Sequence, residues 1–295
     1  MTPGDYDYLR RLLKARSGLV LSADKHYLVE SRLLPVARRA GFDNLAGLVT
    51  GLRAPGSERL TVEVVEAMAT NESLFFRDKI PFEHFRDTIM PALLAARAAS
   101  SRIRIWCAAA STGQEPYTLA MCLKEMGRTL RGWRIEIVAS DLSTAVLERA
   151  RNGVYSQFEV QRGLSAATLI KYFSKVGDAW QIAPEIRGMV KFLPFNLLHD
   201  FSCLGKFDLV FCRNVLIYFD EATKIDVLER MADVTERDGY LVLGGAETVM
   251  GLTQRFRPVI DKRGLYQQPS AATAAPASNV IRFNPVRAGA SAEAS

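Results

Sequence analysis

Residues 106–118 have the sequence W-C-A-A-A-S-T-G-Q-E-P-Y-T and decide the fold class of this 295-residue chain. They end an apolar strand that the pattern predicts over 103–109, and they lead through small residues into a helix that begins near Pro116. A strand, a short loop and a helix in this order present a ligand site at the carboxyl ends of strands in open α/β sheets. The stretch therefore predicts an α/β fold with a site at this loop.

The composition of the loop indicates a ligand other than a phosphate. Gly113 is its only glycine, so the G-x-G-x-x-G pattern that lets a backbone approach a pyrophosphate is missing. Glu115 stands where a phosphate needs a bare helix N-terminus. A carboxylate there favours a cationic ligand such as S-adenosylmethionine. The alternative is a capping box from Thr112 to Glu115, or Glu115 as N-cap with Pro116 at the first helical position. On this segment alone both interpretations remain open.

A second carboxylate follows the next predicted strand. Residues 134–141, R-I-E-I-V-A-S-D, are rich in β-branched side chains and end in Asp141. An acidic residue at the end of the second strand is where such folds bind ribose hydroxyls. Asp141 is also a possible N-cap for a helix over 143–151, and both roles are compatible. Two carboxylates at successive strand ends favour a nucleoside that carries a positive charge.

Composition narrows the class of protein. The chain is 48% hydrophobic and 24% charged, which is typical of a globular protein with room for two domains. No apolar run approaches the ~18 residues of a membrane span, and the polar N-terminus is unlike a secretory signal, so we expect a cytoplasmic protein. The net charge of +6 indicates a mild preference for acidic partners.

Cysteine and histidine give no metal signature. The four cysteines form no C-x-x-C pair, so we expect buried free thiols at Cys107, Cys122, Cys203 and Cys212. The three histidines are not spaced as zinc ligands. We therefore expect no metal.

The chain divides into a helical part and a βαβ part. Apolar spacing predicts helices over 6–17, 25–40, 45–51 and 60–69, so residues 1–70 are expected to be all-helical. Pro35 is expected to interrupt the second helix or to start a new turn. Beyond residue 75, strands are predicted over 103–109, 134–139, 189–195, 207–212 and 239–244, mostly in a parallel sheet.

Three further segments complete the predicted organisation. Residues 256–260 and 264–267 are expected to form a closing antiparallel pair. Residues 155–189 break the pattern and predict an insertion with a helix and a hairpin around Gly177 and Asp178. Residues 268–295 are rich in Ala, Ser and Pro and are expected to be disordered.

Four motifs in this order resemble the CheR-type chemotaxis receptor methyltransferases. They are T-N-E-S-L-F-F-R-D at 70–78, A-A-S-T-G-Q-E-P-Y at 109–117, A-S-D-L-S at 139–143 and F-C-R-N-V-L-I-Y-F at 211–219. Gln114 replaces the family's first Glu, and Ser73 stands where the family often has Thr. The resemblance extends from residue 1 to about residue 267. It implies a Rossmann-like class I methyltransferase domain over 71–267, with a small β-subdomain at 155–189, preceded by an all-helical domain over 1–70.

The resemblance also implies an activity and its residues. The family transfers a methyl group from S-adenosylmethionine to glutamate carboxylates of methyl-accepting chemotaxis receptors, leaving S-adenosylhomocysteine. Carried over residue by residue, the cofactor contacts that the resemblance implies are Asn71, Ser73, Arg77, Glu115, Asp141, Asn196, Leu197, Arg213 and Asn214. Arg77 and Tyr218 are implied to flank the methyl-transfer centre. Alternatively, Arg77 is a solvated arginine paired with Asp78, and Tyr218 fills the core.

The implied partners are the cytoplasmic domains of chemotaxis receptors. The family's second helix presents arginines to acidic receptor helices, and Arg32 and Arg38 occupy those positions, with Arg39 on the same helical face as Arg32. A solvated basic face is the alternative. The hairpin over 175–181 lacks the Gly-rich loop of members that bind a receptor pentapeptide, so we do not expect tethered recruitment.

Two other functions remain open from the sequence. A methyltransferase acting on nucleic acid is disfavoured, because R-N-V-L at 213–216 replaces the [DN]-P-P-[YF] of amino-methylating members. Methylation of another acidic protein, or nucleoside binding without turnover, is the other alternative. We expect a monomer that binds no nucleic acid and does not insert into a membrane.

Overall fold

Four helices build the N-terminal part of the computed structural model, which describes residues 1–269. They are α1 (Pro3–Ser17), α2 (His26–Arg39), α3 (Leu45–Arg53) and α4 (Glu58–Met68). These helices enclose their own apolar core, which includes Leu9, Leu33 and Leu48. The predicted all-helical start of the chain is confirmed.

Two details of these helices differ from the prediction. The first helix begins at Pro3, because Thr2 and Asp5 form a capping box and proline fits the first helical position. The prediction that Pro35 interrupts the second helix or starts a new turn is wrong, since α2 runs through it. Buried residues lie on both sides of Pro35, Leu33 before it and Val36 after it, and their packing keeps the helix intact.

A mixed sheet of seven strands forms the rest of the scaffold, in the order β6-β2-β1-β7-β8-β10-β9. The strands are β1 (Arg102–Ala108), β2 (Arg134–Asp141), β6 (Val190–Pro194), β7 (Phe207–Cys212), β8 (Thr235–Leu243), β9 (Arg257–Pro258) and β10 (Leu265–Gln267). The pairs among β6, β2, β1, β7 and β8 are parallel, and β10 and β9 close the sheet antiparallel. This arrangement confirms the predicted fold class.

Helices cover both faces of the sheet. They are α7 (Gln114–Met126), α8 (Thr144–Asn152) and α12 (Glu221–Val234). Along β1, Ile103, Ile105 and Cys107 join the core that contains α7, while Trp106 and Ala108 join the core that contains α12. The alternation is the period of two of a strand that is buried on both faces.

One segment and one strand start were missed by the sequence analysis. Helix α5 (Ile80–His84), a π-helical turn (Phe85–Ile89) and α6 (Met90–Ala96) pack on the sheet through Phe82 and Phe85, whose rings contact Phe211. Strand β8 begins at Thr235 instead of the predicted 239, because the polar residues 236–238 interrupt the apolar pattern from which a buried strand is predicted.

The predicted insertion is a small antiparallel sheet. Its elements are β3 (Val154–Ser156), α9 (Gln157–Gln161), α10 (Ala166–Tyr172), β4 (Phe173–Val176), β5 (Ala179–Ile182) and α11 (Pro184–Arg187). The strand order is β3-β5-β4, and the β4–β5 turn contains Gly177 and Asp178 as predicted. Gly163 has a φ of 109°, and a Cβ there would lie 1.8 Å from the carbonyl oxygen of Phe75, so only glycine fits this contact. That contact seats the subdomain on the segment before Arg77.

Smaller expectations have mixed outcomes. All four cysteines are free thiols, but the expectation of burial is wrong for Cys203, which is exposed in a 3₁₀ turn (Ser202–Leu204), and Cys122 is only half-buried. The disordered tail predicted over 268–295 lies outside the described residues from 270 onward. The prediction is wrong at Gln268, whose amide donates to the carbonyls of Ala232 and Thr235. None of the described helices has the length and apolar character to cross a membrane. Among residues 1–269, no cluster of His, Cys, Asp and Glu is arranged to hold a metal ion.

Candidate active site

An open pocket of about 1020 Å³ lies at the carboxyl ends of β1, β2 and β7. It is lined by every residue predicted to bind the cofactor or to act in catalysis: Asn71, Ser73, Arg77, Glu115, Asp141, Asn196, Leu197, Arg213, Asn214 and Tyr218. These residues come from five separate segments of the chain. Four of these segments stand at the ends of the parallel strands β1, β2, β6 and β7, whose carboxyl ends share one edge of the sheet, and the fifth, 71–77, lies between α4 and α5.

The loop after β1 forms the floor of the pocket and holds strained backbone. Gly113 is the N-cap of α7 and no side chain caps this helix, so both capping interpretations of Glu115 are wrong. Glu115 instead points its Oε2 at Arg213. Ala109 and Ser111 have positive φ values of 57° and 50°, which non-glycine residues adopt mostly where surrounding contacts enforce them.

Asp141 holds the same loop from the end of β2. Its Oδ2 accepts the N–H of Ser111 at 2.8 Å, and its Oδ1 accepts the N–H of Ser143 at 2.9 Å. Ser143 is the N-cap of α8, so Asp141 is not the helix cap. Burial raises the pKa of Asp141, and the backbone N–H groups oppose that rise. The carboxylate is therefore fixed in orientation at the pocket wall.

The segment 70–77 also lines the pocket, through residues 70–74 and Arg77. The Ser111 hydroxyl donates to the carbonyl of Asn71 at 2.8 Å, which ties this segment to the loop after β1. Arg77 donates from Nη1 to the carbonyl of Glu72 at 3.0 Å. The alternative in which Arg77 pairs with Asp78 is wrong, because Asp78 pairs with Arg213.

Arg213 links the loop after β1 to the segment that carries Arg77. Its side chain is 1% exposed, its Nη1 lies 2.8 Å from Glu115 Oε2, and its Nη2 lies 2.7 Å from Asp78 Oδ2. The same Nη2 donates to the carbonyl of Arg77 at 3.0 Å. Its buried Nε has no hydrogen-bond partner among residues 1–269. The Arg213 guanidinium thus donates to protein groups, and these hydrogen bonds position Glu115 and Arg77.

Pairing with Arg213 sets the charge of Glu115. Burial raises the pKa of this carboxyl group, and the Arg213 guanidinium counteracts the rise. A buried charge is stable only when it is paired and hydrogen-bonded. Glu115 therefore presents a partly neutralised carboxylate to the pocket, whereas Asp141 is held by neutral backbone groups alone.

The N-terminal helices supply a wall that the sequence analysis missed. Ser17, the last residue of α1, and Leu19, two residues beyond it, line the pocket. Asn196 donates from Nδ2 to the carbonyl of Arg16 at 2.8 Å, and the N–H of Val20 donates to the carbonyl of Tyr218 at 2.8 Å. Gly18, in a left-handed conformation, is the C-cap of α1, but no local pattern in the sequence indicates that the following residues reach the sheet.

Tyr218 belongs to the pocket and to the core. It lies in a 3₁₀ turn (Leu216–Tyr218) after β7, it is half-buried, and it packs against the core on the α12 side. It also lines the pocket. The core-filling and pocket interpretations of Tyr218 are thus compatible.

The three arginines predicted to bind substrate do not form one surface. Arg32 donates from Nη1 to the carbonyls of Met68 and Ala69 at 2.7 and 3.1 Å, so its guanidinium ties α2 to the end of α4. Arg38 and Arg39 are exposed, and their side chains have no hydrogen-bond or ion-pair partner within residues 1–269. Only these two are free to meet an external acidic partner.

Comparisons with known proteins match nearly the whole described chain. The family described as CheR methyltransferase, SAM binding domain, matches residues 71–264, and the CheR methyltransferase all-alpha domain matches residues 4–68. Chemotaxis protein methyltransferase Cher2 of Pseudomonas putida is 39% identical over 90% of this chain and 97% of that protein. Chemotaxis protein methyltransferase 1 of Pseudomonas aeruginosa is 41% identical over 86% and 94%. The chemotaxis protein methyltransferase of Escherichia coli K12 is 34% identical over 84% and 85%.

Proposed function

The chain belongs to the CheR methyltransferase family and is an S-adenosylmethionine-dependent methyltransferase, and we propose that it methylates glutamate side chains of chemotaxis receptors. The observation that carries the proposal is the convergence on one pocket of all ten residues predicted to bind the cofactor or to act in catalysis. Methyl esters formed on receptor glutamates would then serve sensory adaptation.

The two carboxylates of the pocket fit the proposed cofactor. Asp141 is buried, is oriented by two N–H groups and stands at the end of the second strand, where it would accept hydrogen bonds from ribose hydroxyls. Glu115 adds a second carboxylate on the same pocket. A ligand that carries an ammonium and a sulfonium is complementary to such a wall, whereas a pyrophosphate is not.

The proposed reaction needs few catalytic groups. A glutamate side chain has a pKa of ~4.3 and is ionised at neutral pH, so no general base has to activate it. When bound, the cofactor supplies a methyl group on a positively charged sulfur. Orientation of the two reactants is then the main contribution of the protein and is worth about 7–11 kcal/mol. Arg77, on the pocket wall, would orient the incoming carboxylate.

Transfer in this scheme converts a cation and an anion into two neutral products. A surrounding of low polarity favours a step that removes charge, since it stabilises separate charges less than water does. Tyr218 and the apolar residues Leu19 and Leu197 line the pocket and exclude water from part of it. These residues would therefore assist transfer without taking up a proton.

Receptor docking is proposed at Arg38 and Arg39. Both guanidinium groups are exposed at the end of α2, and a receptor segment that offers glutamates is itself acidic. The short β4–β5 hairpin leads us to propose that docking does not depend on a receptor pentapeptide.

The test is methyl transfer to receptors. The protein is incubated with cofactor labelled in its methyl group and with membranes that contain chemotaxis receptors, and the label on receptor is measured before and after base. Base-labile label is expected, because methyl esters hydrolyse in base. Receptors with alanine at the methylated glutamates are the control. Binding of S-adenosylhomocysteine without any transfer would instead favour a regulatory protein that does not turn over.

A further inference from the structure

Glu247 collects an unusual number of backbone hydrogen bonds. It lies in the loop after β8, and its carboxylate accepts N–H groups from five residues. Oε2 accepts from Asn214 at 2.7 Å and Gly244 at 2.8 Å, and Oε1 accepts from Val215 at 3.0 Å, Leu216 at 2.8 Å and Ile217 at 3.3 Å. Four of these N–H groups belong to the loop that follows β7. A single side chain thus holds that loop.

The loop cannot satisfy these N–H groups by itself. Residues 216–218 form only one 3₁₀ turn, so the N–H groups at its start have no helical partner. Asn214 also has a φ of 59°, a left-handed conformation that costs free energy for a residue with a Cβ. The carboxylate offsets both costs, because a charged acceptor forms stronger hydrogen bonds than a neutral one.

Gly244 shows how closely the two loops approach. A Cβ at this residue would lie 2.8 Å from Glu247 Oε2 and 3.0 Å from the backbone nitrogen of Asn214. The N–H of Glu247 donates to the carbonyl of Gly244 at 3.0 Å, which closes a turn that aims the carboxylate at the neighbouring loop. The ends of β7 and β8 are therefore joined through one side chain.

We propose that Glu247 is a positioning residue for methyl transfer. It does not line the pocket, but Asn214, Val215 and Tyr218 do, and the loop that carries them is fixed by its carboxylate. Removal of the carboxylate releases the loop and displaces Asn214 and Tyr218 together. The expected effect of this removal on methyl transfer to receptors rests on the proposed function, whereas its expected effect on S-adenosylhomocysteine binding does not.

Two substitutions of Glu247 remove its hydrogen bonds completely or in part. Glu247→Ala removes all five hydrogen bonds. Glu247→Gln keeps one acceptor oxygen, and its amide NH₂ then faces either the N–H groups accepted by Oε2 or those accepted by Oε1. Glu236→Ala is the matched control, since Glu236 is a partly buried glutamate near the opposite end of β8 with no hydrogen-bond partner among the described residues.

The experiment measures S-adenosylhomocysteine affinity by calorimetry, kcat and KM for receptor methylation, and urea unfolding of each variant. For Glu247→Ala we expect at least a tenfold weaker affinity and at least a tenfold lower kcat, with KM for receptor within about twofold of wild type. Glu247→Gln should lie between Glu247→Ala and wild type, and Glu236→Ala should match wild type.

A folded Glu247→Ala variant with wild-type affinity and wild-type kcat overturns the proposal, even if its unfolding free energy is lower, because the role would then be structural alone. If Glu247→Ala does not fold, the same measurements on Glu247→Gln decide. If wild type binds S-adenosylhomocysteine but transfers no methyl to receptors, the proposed function fails, and the affinity series still tests Glu247.

Discussion

Asp141 is proposed to hold the loop after β1 and to bind the ribose, and the substitution Asp141→Asn tests both roles. Asparagine keeps the size of the side chain but removes the charge and one acceptor oxygen. In the protein, Oδ2 and Oδ1 accept the N–H groups of Ser111 and Ser143. With an amide at this position, one of those two N–H groups faces an NH₂ donor and loses its partner.

The contacts of Asp141 set the expected losses of stability and of nucleoside affinity in Asp141→Asn. A buried N–H that loses its acceptor costs about 1–3 kcal/mol, so the free energy of unfolding should fall by that amount. A hydrogen bond from a ribose hydroxyl to a carboxylate is worth about 1.5–3 kcal/mol. Its loss corresponds to about 10- to 150-fold weaker binding. Stability and affinity should therefore fall together, by similar amounts.

Calorimetric titration with S-adenosylhomocysteine and urea unfolding measure the two quantities on the same preparations. Asp178→Asn is the control, because Asp178 is exposed in the β4–β5 turn and its side chain has no hydrogen-bond partner within the described part of the chain. An Asp141→Asn protein that is less stable but binds the nucleoside within about twofold of wild type would refute the reasoning. Asp141 would then only hold the loop.

Three further predictions concern the charges around the pocket. Arg77→Ala should lower kcat at least tenfold, about 1.4 kcal/mol, with little change in urea stability, since Arg77 donates only to the Glu72 carbonyl among the described residues; initial rates of methylation check this. Substitution of Arg38 and Arg39 by Glu should raise KM for receptor and remove most of the salt dependence of methylation, while S-adenosylhomocysteine affinity stays unchanged. An unchanged KM and an unchanged salt profile would contradict docking at these two residues. Because burial raises the pKa of Asp141, acidification should protonate it before an ordinary aspartate and weaken nucleoside binding, and calorimetry against pH should show a flatter profile for Asp141→Asn.

The strands and the pocket residues were accessible from the sequence because their signals are local. An apolar run such as 207–212 predicts a buried strand, and carboxylates that follow such runs mark the edge where ligands bind. The roles of Glu115 and Asp141 as possible helix caps stayed open, since capping depends on backbone geometry. The structure assigns those caps to Gly113 and Ser143.

The partners of charged side chains were not accessible, because they depend on contacts between distant segments. The family resemblance assigned Arg32 to substrate binding, but no sequence pattern shows that its guanidinium donates to the carbonyls at the end of α4. Arg213 was assigned to the cofactor by motif, yet its hydrogen bonds go to Glu115 and Asp78. Glu247 carried no signal, since a lone glutamate after a strand resembles any solvated residue.

The position of the N-terminal helices explains why receptor docking has to be tested at Arg38 and Arg39 alone. The end of α1 is bonded to the sheet domain through Arg16 and Asn196, and Ser17 forms part of the pocket wall.

Substitutions at the end of α1 should alter cofactor affinity, because this stretch forms part of the pocket wall. Arg32 holds the segment that continues into Thr70 and the pocket, so reversing its charge would also disturb the cofactor site. Arg38 and Arg39 make no such contacts within the described chain and do not line the pocket. A change in KM at these two residues, with cofactor affinity unchanged, can therefore be attributed to the receptor.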